Sequence, residues 1–162
     1  MKGDRLRAAD LFSHPANFFS LGFGAGLAPK APGTFGTLVA VPLYLAIADL
    51  GWPVYLLLTV LATTVGIWLC DVTAKKLGVH DHSGIVWDEI AGYLLTMFAA
   101  PPGWLWVLAG FLVFRFFDVL KPWPISWFDK HVHGGLGIML DDILAGLMSL
   151  LVLQLAALFW LA

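Results

Sequence analysis

The sequence predicts an all-α fold: a small polytopic membrane helix bundle of about five apolar helices behind an N-terminal amphipathic lead-in. Three observations carry that prediction. Of 162 residues, 60% are hydrophobic and only 12% are charged, against roughly 25% charged in a soluble globular domain. Apolar stretches recur at 38–50, 53–70, 85–100, 104–117 and 143–162, each bounded by turn signals. The basic residues also fall on alternate connections, as insertion into a bilayer requires. A soluble helical bundle is the competing reading; eight tryptophans and two nearly charge-free runs weigh against it.

A single domain is expected over 1–162, with 1–33 as lead-in and glycine-rich loop and 34–162 as the bundle. The opening "MKGDRLRAADLFSHPANFF" is basic, but Asp4, Asp10 and His14 interrupt the apolar core that a signal peptide needs. It reads as a cytosol-facing amphipathic segment. The stretch 38–50 carries Pro42, and 53–70 has no charge at all. With 143–162, where Ser149 and Gln154 are the clearly polar members, 53–70 comes near the ~20 residues that cross ~30 Å of hydrocarbon. The stretches 85–100 and 104–117 are shorter and carry ionisable groups. They read either as spans or as core helices. Tight turns at Gly51-Trp52-Pro53 and Pro101-Pro102-Gly103-Trp104, each with an interfacial tryptophan, imply antiparallel neighbours.

With the N-terminus in the cytosol, five spans place Gly51 and Pro101 outside and the connections near Lys75-Lys76 and Lys121–Lys130 inside. All nine Lys and Arg then lie on the inner side, and Asp49 is the one acid outside. This satisfies the positive-inside rule. The expected location is the inner (cytoplasmic) membrane, multi-pass, with the functional face toward the cytosol. The formal net charge of −2 does not identify a partner, and no nucleic-acid partner is expected. Cys70, the single cysteine, rules out an internal disulfide framework and reads as a small core residue.

Eight of the eleven acids, Asp71, Asp81, Asp88, Glu89, Asp118, Asp129, Asp141 and Asp142, lie between positions 71 and 142, all on the inner side of this topology. Ionisable groups at the edge of membrane helices are costly and mark paired or functional sites. Carboxylates without thiolates suit a hard, oxygen-liganded ion such as Mg²⁺. Asp88 and Glu89 diverge by about 100° on a helix, so one can ligate while the other faces a neighbouring helix. The bland reading is a pair of acids complementing a helix dipole. Asp141-Asp142 repeats the arrangement at the head of the last stretch. In "FRFFDVLKPWP", Arg115 and Asp118 share a helix face and Lys121 lies beside it. Arg115 is either an ion-pair partner or a fork for phosphate oxygens, and the two are compatible.

In "GFGAGLAPKAPGTFGTLVAV", Gly33, Thr34, Gly36 and Thr37 lead into an apolar helix just after Lys30. Exposed N–H groups there suit a phosphate; a simple helix cap is the alternative. The Walker A order is missing. His80 and His82, and likewise His131 and His133, are candidate metal ligands or proton shuttles, against the commoner reading of polar loop residues.

Taken together and in this order, "APKAPGTFGT", "DHSGIVWDEIAG", "FRFFDVLKPWPI" and "GGLGIMLDDILAG" resemble the phosphatidylglycerophosphatase A family over roughly 20–148. His82 departs from it, standing where a small or proline-like residue is expected. The resemblance implies a Mg²⁺-dependent lipid phosphatase that removes the terminal phosphate of phosphatidylglycerol phosphate, an anionic phospholipid. It implies Asp88, Glu89, Arg115, Asp118, Lys121, Asp141 and Asp142 as site residues, with Lys30, Thr34 and Thr37 in the glycine block. We assign the individual roles ourselves. Asp88, Glu89, Asp118, Asp141 and Asp142 are expected to hold metal; Lys30, Thr34, Gly36, Thr37, Arg115 and Lys121 to bind phosphate; and Asp88, Asp118, Arg115 and Lys121 to act in catalysis.

The chemistry has two forms at this stage: attack by water, with a carboxylate such as Asp88 orienting or deprotonating it, or a covalent phosphoenzyme on aspartate or histidine. A cysteine phosphatase needs Arg six positions after Cys, where Cys70 has Lys76. The Asp-x-Asp signature of aspartyl phosphatases is missing, as is the histidine pattern of the type-2 phosphatidic acid phosphatases. Two other functional classes compete. One is a cation or proton transporter with an acid-lined bundle, which would place polar groups deeper along the helices. The other is a CDP-alcohol phosphotransferase, whose longer Asp-Gly and Asp-x-x-x-Asp spacing is not seen here.

Overall fold

The computed structural model describes residues 6–79 and 82–160. Among them the fold is all-helical. In chain order the elements are α1 (Ala8–Phe12), α2 (Pro15–Ser20), a 3-10 segment (Gly22–Leu27), α3 (Pro32–Ile47), α4 (Trp52–Leu77), α5 (Trp87–Thr96), α6 (Trp104–Leu120), α7 (Ile125–His131) and α8 (Gly134–Trp160).

Local chemistry places the boundaries. His14 caps α2 by accepting the Ala16 N–H at 3.1 Å, and Pro15 sits at the first helical position, where no N–H is needed. Helices α4 and α6 each start after a glycine at positive φ, Gly51 at 78° and Gly103 at 119°, values a side chain would resist. The lead-in is docked: Thr73 of α4 donates to Asn17 Oδ1 at 3.1 Å, and Asn17 Nδ2 donates back to the Asp10 carbonyl at 2.9 Å. The two polar groups satisfy each other in a place neither could occupy alone.

The expectation of five apolar helices needs correction. Helices occupy all five stretches, but only α4 (26 residues) and α8 (27 residues) are long and apolar enough to cross a membrane, with α3 a shorter apolar helix. At ~1.5 Å per residue both exceed the ~30 Å of a hydrocarbon core. Neither is covered by the protein itself: Leu57, Leu61, Val65 and Trp68 on α4, and Leu147, Leu151, Leu155 and Leu158 on α8, are exposed. Helix α5 is shorter for a physical reason. It is ten residues long, carries two acids, and lies inside the protein against α3, α4, α6 and α8.

A buried helix must have its ends satisfied by protein. The Tyr55 hydroxyl donates to the Leu94 carbonyl at 2.6 Å, and Gln154 Nε2 donates to the Ala99 carbonyl at 2.9 Å. At the opposite end Trp87 Nε1 donates to the Ala62 carbonyl at 2.9 Å. Tyr93, fully buried, stacks edge-on with Tyr44 and Phe114 and donates to the Val107 carbonyl at 3.0 Å, tying α3, α5 and α6 together.

Helices α5 and α8 cross in close backbone contact. A Cβ added to Gly146 would lie 2.6 Å from the Gly92 carbonyl oxygen, and one added to Gly92 would lie 2.7 Å from that of Asp142. Backbone meets backbone at this crossing, so nothing flexible can yield. Gly146→Ala should therefore cost about 1–3 kcal/mol by overpacking, seen as a lowered thermal midpoint in detergent. An unchanged midpoint would mean that the two helices part freely.

Candidate active site

The crossing of α5 and α8 positions the acids. Gly92 lies four residues after Asp88, and Gly146 four residues after Asp142, so each acid stands one turn from its glycine on the same helix face. Both helices carry Asp-x-x-Ala-Gly, in "DEIAG" and "DILAG". Packing the glycines together therefore brings the two aspartates together. Asp88, Glu89 and Asp142 each offer a carboxylate oxygen, all within 4.8 Å of one another, the one such His/Cys/Asp/Glu group among the described residues.

This cluster is buried. Asp142 is almost fully enclosed and Asp88 nearly so, and Asp88 Oδ1 and Glu89 Oε2 are buried without a hydrogen-bond partner. Unpaired buried carboxylate oxygens are expensive. Burial, reinforced by Glu89 and Asp142, pushes the Asp88 carboxyl well above the ordinary range. Burial likewise pushes Glu89 up to about 7, with Asp118 adding to the shift and Asp88 and Arg115 opposing it. Such an arrangement fits a divalent cation on the chemistry of its donors: hard oxygens, two of them orphaned, converging from two helices.

Two cations flank the cluster, each with its own acid. The Arg115 guanidinium pairs with Asp118 and stands 3.8 Å from Glu89 Oε1. Lys121 closes α6 in a left-handed conformation, φ 42°, with its N–H donated to the Phe117 carbonyl at 2.8 Å. That turn takes it off the Arg115–Asp118 face. Its ammonium meets Asp141 of α8 and, at 2.6 Å, Asp129 of α7. Burial opposes the Lys121 charge, but Asp141 and Asp129 outweigh it and hold its pKa above the ordinary value.

The eleven candidate residues thus separate into groups. Asp88, Glu89 and Asp142 form the cradle, while Asp118 and Asp141 are occupied by Arg115 and Lys121. In the glycine block, Thr34 is half-buried and Lys30 is exposed. Thr37 is buried and donates to the Gly33 carbonyl at 2.9 Å. A Cβ on Gly36 would lie 2.6 Å from Val86 Cβ. The block's contact with the cluster runs instead through Gly33, whose absent Cβ would sit 2.1 Å from Glu89 Oε1 and 3.2 Å from Arg115 Nη1. Sequence reasoning named Gly33 only among the helix-start N–H groups and placed neither Gly92, Gly146 nor Asp129 in the site; the repeated Asp-x-x-Ala-Gly was the signal available for the two α5 and α8 glycines. Of the histidines, His82 Nδ1 accepts the Gly84 N–H at 3.0 Å within a turn. His131 stacks on Trp127 at 4.5 Å. His80 and Asp81 lie outside the described residues.

A family model described as Phosphatidylglycerophosphatase A matches residues 18–157. A protein of Escherichia coli named phosphatidylglycerophosphatase A is 51% identical over 138 residues, 85% of this chain and 80% of that protein. A protein of the same name from Haemophilus influenzae is 43% identical over 141 residues, 86% of each chain. No solved structure matches the chain.

The raised Glu89 value sets a pH dependence for the metal-free protein. Its folded pKa of about 7 exceeds the ordinary 4.5, so between these values the folded state holds a proton that the unfolded state has lost. Stability conferred by this group therefore falls as pH rises through that window and levels off above it. In detergent with EDTA, the thermal midpoint should decline from about pH 5 to pH 7, and Glu89→Gln should lessen the decline. A midpoint rising across the window would contradict the assignment.

Proposed function

The chain belongs to the phosphatidylglycerophosphatase A family, and from that premise we propose a Mg²⁺-dependent lipid phosphatase whose ion is held by Asp88, Glu89 and Asp142. It hydrolyses the terminal phosphomonoester of phosphatidylglycerol phosphate, yielding phosphatidylglycerol and inorganic phosphate. The observation that carries the metal assignment is the buried three-carboxylate cradle with two unpartnered oxygens.

When bound, the cation supplies charge neutralisation at the phosphoryl oxygens and acidifies water. The chain's own residues do the rest. Arg115 presents a planar fork to the phosphoryl oxygens, its orientation kept by Asp118. Lys121 contributes a second positive charge beside the cradle. Water adds to phosphorus as the bond to the glycerol oxygen breaks. Asp88, whose Oδ1 has no hydrogen-bond partner, takes the water proton, the departing alkoxide takes a proton from solvent water to give the free hydroxyl of phosphatidylglycerol, and Asp88 then releases its own proton to solvent. Lys30, Thr34, Gly36 and Thr37 act on phosphate through the first turn of α3, which reaches the cluster at Gly33.

Location follows the same reasoning. Helices α4 and α8 cross the inner membrane, and the cradle faces the cytosol. Support comes from Lys75 and Lys76 in the last turn of α4 and from the Gly135 N–H donated to Asp71 Oδ1 at 3.3 Å, which puts the start of α8 beside the basic end of α4. A lipid headgroup then meets the site without leaving the bilayer surface.

Purified protein in detergent should release inorganic phosphate from phosphatidylglycerol phosphate, lose this with EDTA and regain it with Mg²⁺. No release under any divalent ion would sink the proposal, and release indifferent to EDTA would remove the metal from it. Asp142→Asn should lower kcat by at least about 10²-fold with the secondary structure retained by circular dichroism. Full activity in that variant would exclude Asp142 from the cradle.

A further inference from the structure

The Lys121 clamp joins three elements through partners of unequal accessibility. Its ammonium bridges Asp141 on α8 and Asp129 on α7, with 10% of the Asp141 side chain exposed against 36% for Asp129 and 29% for Lys121 itself. Asp141 adjoins Asp142 of the cradle; Asp129 is outside the three-carboxylate group. Helix α7 is anchored by Ile125, which is fully buried, while Asp129 lies near the helix's outer end.

These differences decide which contact can be exchanged. Parting Lys121 from Asp141 would take the cation away from a carboxylate only 10% exposed, a severe penalty. Parting it from Asp129 returns a carboxylate to water, and a pair this accessible contributes little. The backbone of Lys121 is fixed by the left-handed cap and the bond to Phe117, and Asp141 retains its ammonium while the outer partner changes. A phosphoryl group is the kind of anion that can make the exchange, since it is a dianion with several acceptor oxygens.

We propose that Asp129 is a positioning residue that occupies Lys121 in the substrate-free protein and yields that place to a phosphoryl oxygen of the bound monoester. It keeps the lysine oriented before binding. It also competes with phosphate, weakening retention of substrate and of the inorganic phosphate product alike. The inference rests on Lys121 being a phosphoryl-binding group, as proposed above.

The test is steady-state kinetics of the full chain in detergent with phosphatidylglycerol phosphate and Mg²⁺, with inorganic phosphate as inhibitor. Asp129→Asn should lower both KM and the inhibition constant for phosphate by about two- to fivefold without raising kcat. Asp129→Glu should restore wild-type values. Asp129→Ser, run in parallel, makes the same prediction should the asparagine variant fold poorly. In a Lys121→Met background the Asp129 substitution should have no effect, because the cycle isolates the pair. Unchanged or higher KM in both neutral variants, or a decrease that persists without Lys121, overturns the role of Asp129. If Lys121→Met alone leaves KM and phosphate inhibition at wild-type values, the phosphoryl-binding reading of Lys121 fails first, and this inference with it.

Discussion

The contact between Gly92 and Gly146 is the constraint on which the rest of the structure depends. Two helix backbones approach so closely that a Cβ on Gly146 would meet a carbonyl oxygen at 2.6 Å. The acids one turn away have no freedom to separate. Three carboxylates are thus forced into a space of a few ångströms, in a part of the molecule with little access to water. Repulsion and desolvation both oppose this, and the opposition is met by packing elsewhere. Tyr93, Phe114 and Tyr44 lock α5 from one side, and Tyr55 and Gln154 close its far end. The aromatic half of the bundle holds the acidic half together.

Charge is distributed unevenly across that acidic half. Asp118 and Asp141 each have a cation, Arg115 and Lys121, while among the described residues the cradle of Asp88, Glu89 and Asp142 meets a cation at Arg115, 3.8 Å from Glu89. The outer acids serve the basic residues, and the inner acids converge on a common point. A site built this way has an anionic centre suited to a cation and a cationic rim suited to phosphate. Gly33 completes it, because any side chain there would fill the space between Glu89 and Arg115. The glycine block therefore contributes by being small where α3 touches the site.

Much of this was legible before any coordinates. Composition and turn spacing foretold the all-helical fold, and the four sequence blocks carried the family resemblance. The acid pairs stood out because charge is rare in this chain. Less legible was the division of labour among the acids. Asp118 and Asp141 stand in ion pairs with Arg115 and Lys121, a pairing that residue type alone does not reveal. The stretch 85–100 reads either as a span or as a core helix, and the fold decides for the second: α5 is a short helix enclosed by protein, its Leu94 carbonyl accepting from the Tyr55 hydroxyl.

By itself the sequence determined the all-helical class and the inventory of reactive groups, since hydropathy, turn residues and i to i+4 spacing are local properties that survive without a fold. Tertiary structure alone decided which carboxylates meet, which are neutralised, and which glycines must lack a side chain. Those outcomes depend on distances between residues more than fifty positions apart, such as Asp88 and Asp142. Only the crossing of α5 and α8 brings that separation down to contact.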